Sequence, residues 1–550
     1  MSENSATANR NKNKSLLWLS VNCSYSHSSL VLPMLHSACR NIDGWDWQML
    51  ETTIEEDPGI TLTEIAQIQP DLICSTLYLF NRDRVLDLLR RVSVLLPQCL
   101  IAVGGPECAG DEAQQIFNQC DFIHSVFQGE GENIFPAFLK DFSTAMPRAI
   151  RSAEPGNVWQ EWVKQAPPVT DPFFRTDKPF VQMETSRGCP MACNYCTSCR
   201  SQVRYRSIEQ VEQELSMLQK RGVRELRLLD RTFNFPPERG KQLLHLFRTK
   251  FPDMKFHLEI HPQFLPESLR QELDQALPGQ LHLEAGIQSF DPQVQQQIGR
   301  KMDTVQALDG LQYLCRNKNF ETHVDLLAGL PGQTLDSIFK DADTLIRTGP
   351  AEIQLEVLKI LPGTPLKSQA ESLNIQYSLN PPYDVMQTAQ MSCNDILTAR
   401  KLSRLLDLTY NHPALHPVIT AAAEDQDNFL PIIFKHFLGN GLELKRLFDL
   451  KKRFLILADL FSAPQWQTAQ EAMAIQWILC GYPPGAGPSF NVRTVNANQV
   501  PLPCGAESVW QERETRIWSL STRRQKCYFA FNRKYQANLP AAVLFIPETA

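Results

Sequence analysis

The chain has 550 residues, 43% of them hydrophobic and 21% charged, and its 54 basic and 60 acidic residues leave a formal net charge of −6. That is an ordinary globular balance with room for two or three domains and more than one core, and it gives no sign of a polyanionic partner such as nucleic acid. Fifteen cysteines in a chain of this size, with no apolar export segment, argue against a disulfide framework, so most of them, Cys74 for instance, read as small buried apolar residues.

Residues 1–14 are polar and rich in Ser, Asn and Lys, with no apolar run of signal-peptide length, and are read as a disordered leader. No later stretch is apolar for long enough to span a bilayer, so a cytoplasmic protein is expected. From residue 15 to about 145, short β-rich runs alternate with helical stretches. Strands are expected at 16–21, 72–76, 100–103 and 122–127, and helices at 30–40 and 82–96. Two of the strands end in glycine turns, Gly104-Gly105-Pro106-Glu107 and Gln128-Gly129-Glu130-Gly131-Glu132. Such alternation implies a parallel, doubly wound, Rossmann-like sheet, whose ligands sit at the carboxyl ends of the strands.

Residues 146–179 are read as a linker, with 155–179 rich in Pro, Asp and Trp. The alternation resumes over 180–375, with strands expected at 181–185, 225–229, 255–260, 280–286, 321–327 and 352–359. Helical stretches fall between them, as at 208–221 and 268–276. Six strand–helix units in series suggest a partial (β/α)6 barrel, with its chemistry at the carboxyl ends of the strands. Residues 376–550 change character. Helices are expected at 383–406 and 442–461, and a terminal β-hairpin within 527–547, giving a mostly helical C-terminal domain. Aromatics there, such as Tyr410, Trp466, Trp477 and Trp510, read as core.

The central motif is Cys189-Pro190-Met191-Ala192-Cys193-Asn194-Tyr195-Cys196, which follows Ser186-Arg187-Gly188 and the strand expected at 181–185. Three thiolates this close in one loop can ligate three irons of a 4Fe–4S cubane and leave the fourth iron open to a small chelating molecule. A zinc site would normally show a second Cys/His pair at matching spacing, and none is apparent downstream. Cys199, three residues on, is either a bystander or an accessory thiol.

This region resembles the radical SAM superfamily. Leu228-Leu229-Asp230-Arg231-Thr232-Phe233-Asn234, Phe256-His257-Leu258-Glu259-Ile260, Glu284-Ala285-Gly286-Ile287-Gln288-Ser289 and Ala328-Gly329-Leu330-Pro331-Gly332 extend the resemblance to cobalamin-dependent members. More narrowly, together with 358–365 and Pro381-Pro382-Tyr383, they are similar to a subfamily with a C-terminal domain of unknown function. The resemblance implies that S-adenosylmethionine chelates the open iron and is cleaved to a 5′-deoxyadenosyl radical. It also implies an N-terminal cobalamin-binding domain and a low-potential electron donor such as flavodoxin or ferredoxin.

On that reading Tyr195, Glu259, Glu284, Gln288 and Ser289 are candidate S-adenosylmethionine contacts. His27, Gly104, Gly105, Gly129 and Gly131 are candidate cobalamin contacts. Cobalamin proteins that ligate cobalt through histidine often carry D-x-H-x-x-G, whereas this chain has Tyr25-Ser26-His27-Ser28-Ser29-Leu30, which lacks the Asp and the Gly. His27 is therefore expected near the lower corrin face, with direct ligation left open. The expected reaction is methyl transfer to an unactivated carbon of a substrate the sequence does not name. Cyclisation or rearrangement, and a non-catalytic cobalamin sensor or carrier, are the alternatives.

Overall fold

The structure is a computed structural model that describes residues 13–152, 162, 165–199, 201–445, 448–483, 492–496, 499–501, 509–510, 515–532 and 539–547. The expected leader lies outside these residues up to 12, and its last residue, Lys14, already opens the first strand.

The N-terminal unit is a six-stranded sheet of β1 (Lys14–Asn22), β2 (Trp45–Thr53), β3 (Leu72–Thr76), β4 (Leu100–Gly104), β5 (Ser125–Gln128) and β6 (Ala149–Ser152). The order is β2-β1-β3-β4-β5-β6, and every pair is parallel. Helices cover both faces, so the central strands are apolar without alternation. Leu16, Leu17, Trp18 and Leu19 are all buried, with Leu17 and Leu19 in one core and Leu16 and Trp18 in the other. The chain leaves β1 first towards β2 on one side and then towards β3 on the other. This reversal opens a crevice at the carboxyl ends of β1 and β3.

The second unit begins with β7 (Val181–Met183), followed by the two-stranded antiparallel pair β8 (Ser186–Arg187) and β9 (Arg204–Tyr205). Then come β10 (Glu225–Leu228), β11 (Lys255–Glu259), β12 (Leu281–Gln288), β13 (Glu321–Ala328) and β14 (Glu352–Val357). The parallel sheet runs β7-β10-β11-β12-β13-β14, a partial (β/α)6 barrel. In β12 and β13 outward residues such as Leu283, Ala285, Val324 and Leu326 are buried under the helices. The alternate positions, His282, Glu284, His323 and Asp325, are part-buried polar groups. A period-2 pattern of this kind gives one dry face and one polar face to each strand.

After the short pair β15 (Gln376–Tyr377) and β16 (Val385–Gln387), five α-helices follow among the described residues: Cys393–Leu408, His416–Asp425, Phe429–Gly439, Leu450–Leu460 and Gln467–Leu479. They share one core with the barrel, in which Leu402, Phe437 and Trp477 are buried with Val324 and Leu326. The chain ends in a four-stranded antiparallel sheet of β17 (Val492–Val495), β18 (Arg516–Ser521), β19 (Gln525–Phe531) and β20 (Ala542–Pro547).

Several expectations are corrected. Strand β2 and helix Pro58–Ile68 had no counterpart in the sequence reading, and β6 falls in the stretch read as linker. Residues 383–392 are not helical. Strand β16 lies there, and the helix starts at Cys393, where the Ser392 and Asp395 side chains cap each other's backbone N–H. Likewise the helix expected from 442 starts at Leu450, capped by Asp449. The terminal hairpin exists as β19–β20, inside a larger sheet. Among the described residues no helix is long and apolar enough to cross a membrane.

Candidate active site: two adjoining cavities between the parallel sheets

The cysteine loop springs from the β8–β9 pair, and its start is pinned from below. Buried Asp230, just after β10, accepts hydrogen bonds from the Thr185 backbone N–H (2.7 Å), the Ser186 hydroxyl (2.7 Å) and the Thr185 hydroxyl. Gly188 has φ +95°, and a Cβ there would lie 2.2 Å from the Gln202 carbonyl oxygen, so only glycine lets the chain turn into the loop. The far side is held by Asn194, whose backbone N–H reaches Ile298 (2.9 Å) and whose side chain reaches the Gln297 carbonyl (3.0 Å).

Cys189, Cys193 and Cys196 all line one cavity of about 170 Å³. Around them the same cavity is lined by Tyr195, Cys199, Arg231, Thr232, Glu259, His261, Glu284, Gln288, Arg300 and Asp325. Of the candidate S-adenosylmethionine contacts, four are here. The fifth, Ser289, is fully buried, donates to Asp341 Oδ2 at 2.7 Å, and is not part of the lining. Its hydroxyl is committed to holding the turn after β12.

Sequence reasoning missed Arg231, Thr232, His261, Arg300 and Asp325. Arg231 and Thr232 lay inside a quoted segment, and Asp325 is marked by the period-2 polar positions of β13. Arg300, 12 residues beyond the end of β12, carried no local signal.

The polar groups are electrostatically distinct. Glu284 accepts from His257 Nε2 at 2.8 Å, and this hydrogen bond holds its carboxyl below the usual range. Burial pushes Glu259 up to about 7, although Arg231 stands 3.8 Å away and opposes the rise. Burial also raises Asp325. One carboxylate is thus kept ionised beside two poised nearer neutrality, the kind of spread that marks a working site. Arg300 donates to Cys193 Sγ at 3.4 Å and also to the Gly286 carbonyl at 2.5 Å. The Ser198 N–H donates to Cys196 Sγ at 3.4 Å.

A second, larger cavity of about 670 Å³ lies at the carboxyl ends of β1, β3, β4 and β5. All five candidate cobalamin contacts line it: His27, Gly104, Gly105, Gly129 and Gly131. Gly105 has φ +103°, and a Cβ there would meet Thr76 Cγ2 at 2.5 Å. The His27 ring is held by the Ser24 hydroxyl (2.8 Å to Nδ1) and packs edge-on against Phe180. Burial lowers its pKa, with Arg227 adding to the effect.

The barrel closes this cavity with Gln182, Glu184, Arg187, Ser198 and Leu229, and Ser198 lines both cavities. Arg187 bonds Glu184 (2.8 Å) and Glu132 (2.8 Å) and lies over the Trp162 ring, while its strand partner Arg204 bonds Glu130. Further out, buried Tyr383 donates to Glu107 Oε2 at 2.6 Å and accepts from Arg82, which also pairs with Glu112. The two units are therefore joined by buried charge as well as by contact.

The residues fit a cluster and a corrin. Three thiols line a space larger than a single ion, and three of the residues that line it with them carry a buried polar atom without a partner: His261 Nε2, Gln288 Oε1 and Arg300 Nε. The larger cavity has a mainly apolar lining, and among its glycines Gly129, with φ +94° and no atom within 4 Å of where a Cβ would stand, leaves open space for a ligand.

Comparison with known proteins agrees. Residues 183–345 match the radical SAM superfamily, so the barrel is a radical SAM domain. The chain is homologous to cobalamin-dependent radical SAM methyltransferases. It is 22% identical over 333 residues to the cobalamin-dependent radical SAM methyltransferase TokK of Streptomyces tokunonensis, covering 55% of this chain and 48% of that one. Its fold is that of the cobalamin-dependent S-adenosylmethionine radical enzyme OxsB, with TM-score 0.55, 14% identity and coverage of 85% and 73%. It is also that of the radical S-adenosylmethionine methyltransferase TsrM of Kitasatospora setae, with TM-score 0.53, 16% identity and coverage of 68% and 80%. The chain spans about half the length of curated relatives it matches.

Proposed function

We propose that this protein is a cobalamin-dependent radical SAM methyltransferase acting on an unactivated carbon. The observation that carries the reading is the shared wall at Ser198, where a thiol-lined cavity adjoins a glycine-lined one at the carboxyl ends of two parallel sheets. Cys189, Cys193 and Cys196 would hold the cluster. Glu259, Glu284, Gln288 and Tyr195 would contact S-adenosylmethionine, and His27 with the glycines at 104, 105, 129 and 131 would face the corrin. When bound, the cluster supplies the electron that cleaves the sulfonium to an adenosyl radical, and the corrin supplies a transferable methyl group.

The chain's own contribution is placement. Glu284, kept ionised by His257, accepts from an ammonium or a ribose hydroxyl. Arg300 sets a cationic donor beside Cys193. The Arg187 and Arg204 pairs fix the distance between the two cavities. A small low-potential protein of the flavodoxin or ferredoxin type is the electron donor on this reading.

The test is anaerobic reconstitution with iron, sulfide and cobalamin, followed by incubation with S-adenosylmethionine and a strong reductant. A methyltransferase forms both 5′-deoxyadenosine and S-adenosylhomocysteine, and labelled methyl appears in the substrate. 5′-Deoxyadenosine without S-adenosylhomocysteine would indicate cyclisation or rearrangement. Neither product would indicate a carrier.

A further inference from the structure

Within the thiol-lined cavity one side chain is finished as a hydrogen-bond donor yet has nothing to donate to. His261 follows β11, lines the cavity and is 3% exposed. Its Nδ1 accepts from the Gln263 backbone N–H at 3.3 Å, which leaves the proton on Nε2. That Nε2 is buried and has no partner. An unmet buried donor is destabilising, so its retention here points to an acceptor that arrives with a ligand.

The donor is rigid as well as unmet. Asn234, fully buried, accepts from the His261 backbone N–H (2.8 Å) and donates to the carbonyls of His261 (2.9 Å) and Phe264 (2.8 Å). The imidazole also lies against the Phe264 ring, with centroids 4.8 Å apart, and Phe264 in turn packs on Phe235 and on the cysteine loop. Burial and the nearby Arg300 push the imidazole down to about 3, so it stays neutral beside any cationic ligand.

The other polar groups of the cavity are matched to other chemistry. Arg231 and Arg300 suit a carboxylate, and Glu259, Glu284 and Asp325 suit an ammonium and hydroxyls. What remains for a neutral N–H donor backed by an aromatic ring is a flat heteroaromatic base with a lone-pair nitrogen. We propose that His261 is a base-reading residue, its Nε2–H donating to a ring nitrogen of the adenine of the nucleoside cosubstrate. The proposal rests on the reading of this cavity as the S-adenosylmethionine site.

The test uses the cluster-loaded full-length protein and equilibrium binding of S-adenosylmethionine, with perturbation of the reduced-cluster electron resonance signal as a second readout. The probes are S-adenosylmethionine and its three analogues in which adenine N1, N3 or N7 is replaced by C–H. The wild type should bind one of the three analogues about tenfold more weakly than the parent. His261→Phe should lose about the same factor for the parent and become indifferent to that ring position, with iron content unchanged. His261→Gln, which keeps an N–H donor, should recover part of the loss. If His261→Phe binds all four ligands as the wild type does, or if the wild type discriminates against no analogue, the proposal is overturned. If the wild type binds none of the four, the cosubstrate reading of the cavity falls and this inference with it.

Discussion

The guanidinium of Arg187 and the carboxylate of Glu132 lie 2.8 Å apart, and this contact ties the root of the cysteine loop to the glycine turn of the larger cavity. Arg187 sits two residues before Cys189, and Glu132 follows Gly131. Both side chains are largely buried, and the same guanidinium neutralises Glu184. Breaking a buried pair by removing one partner costs about 3–5 kcal/mol, because the other charge is stranded. Arg187→Gln should therefore lower the unfolding free energy by that order, measured by chemical denaturation. It should also weaken cobalamin binding, read by absorbance titration. Glu132→Gln, which keeps a hydrogen-bond acceptor, should cost less in both.

Tyr383 makes the second bridge between the units. Its hydroxyl donates to Glu107 and accepts from Arg82, and all three side chains are buried. Tyr383→Phe preserves the ring and removes only the hydroxyl, leaving two buried polar groups each short of one partner. A loss of about 1–3 kcal/mol is expected in denaturant unfolding. The m-value should be unchanged, since the surface exposed on unfolding is the same.

Glu214 sets a pH dependence of stability. It is 3% exposed, and burial pushes its carboxyl up to about 7 against the pull of Arg206, 3.7 Å away. Between its ordinary value of 4.5 and about 7 the folded protein holds a proton that the unfolded chain has released. The contribution is therefore fully present below that ordinary value and is lost as pH rises through the folded value. Its slope reaches about 1.4 kcal/mol per pH unit. Glu214→Gln should remove this component from unfolding free energies measured across that window.

Much of this was legible in the sequence because the physics involved is local. The cysteine spacing fixes a loop, and the apolar runs of β1, β3 and β4 mark strands covered on both faces. The glycines at 104, 105, 129 and 131 mark strand ends that the structure brings to one cavity. What failed was non-local. Strand β2 lies at the sheet edge and is only partly covered, so Trp45 to Thr53 lacks the apolar run that marks its neighbours. Strand β6 is another partly exposed edge of four residues. The stretch 383–392 has helical-looking composition, yet Val385 is drawn into pairing with Tyr377. His261 and Arg300 reach the cavity only through the fold, and Ser289 leaves it because Asp341 takes its hydroxyl.

The most direct test of the account is iron, sulfide and 5′-deoxyadenosine measured together on anaerobically reconstituted wild type and on the variant with Cys189, Cys193 and Cys196 all changed to alanine. The account predicts about four irons and four sulfides per wild-type chain, reductant-dependent cleavage of S-adenosylmethionine, and the loss of both in the variant. Preferential uptake of zinc by the wild type, or cleavage undiminished in the variant, would contradict it.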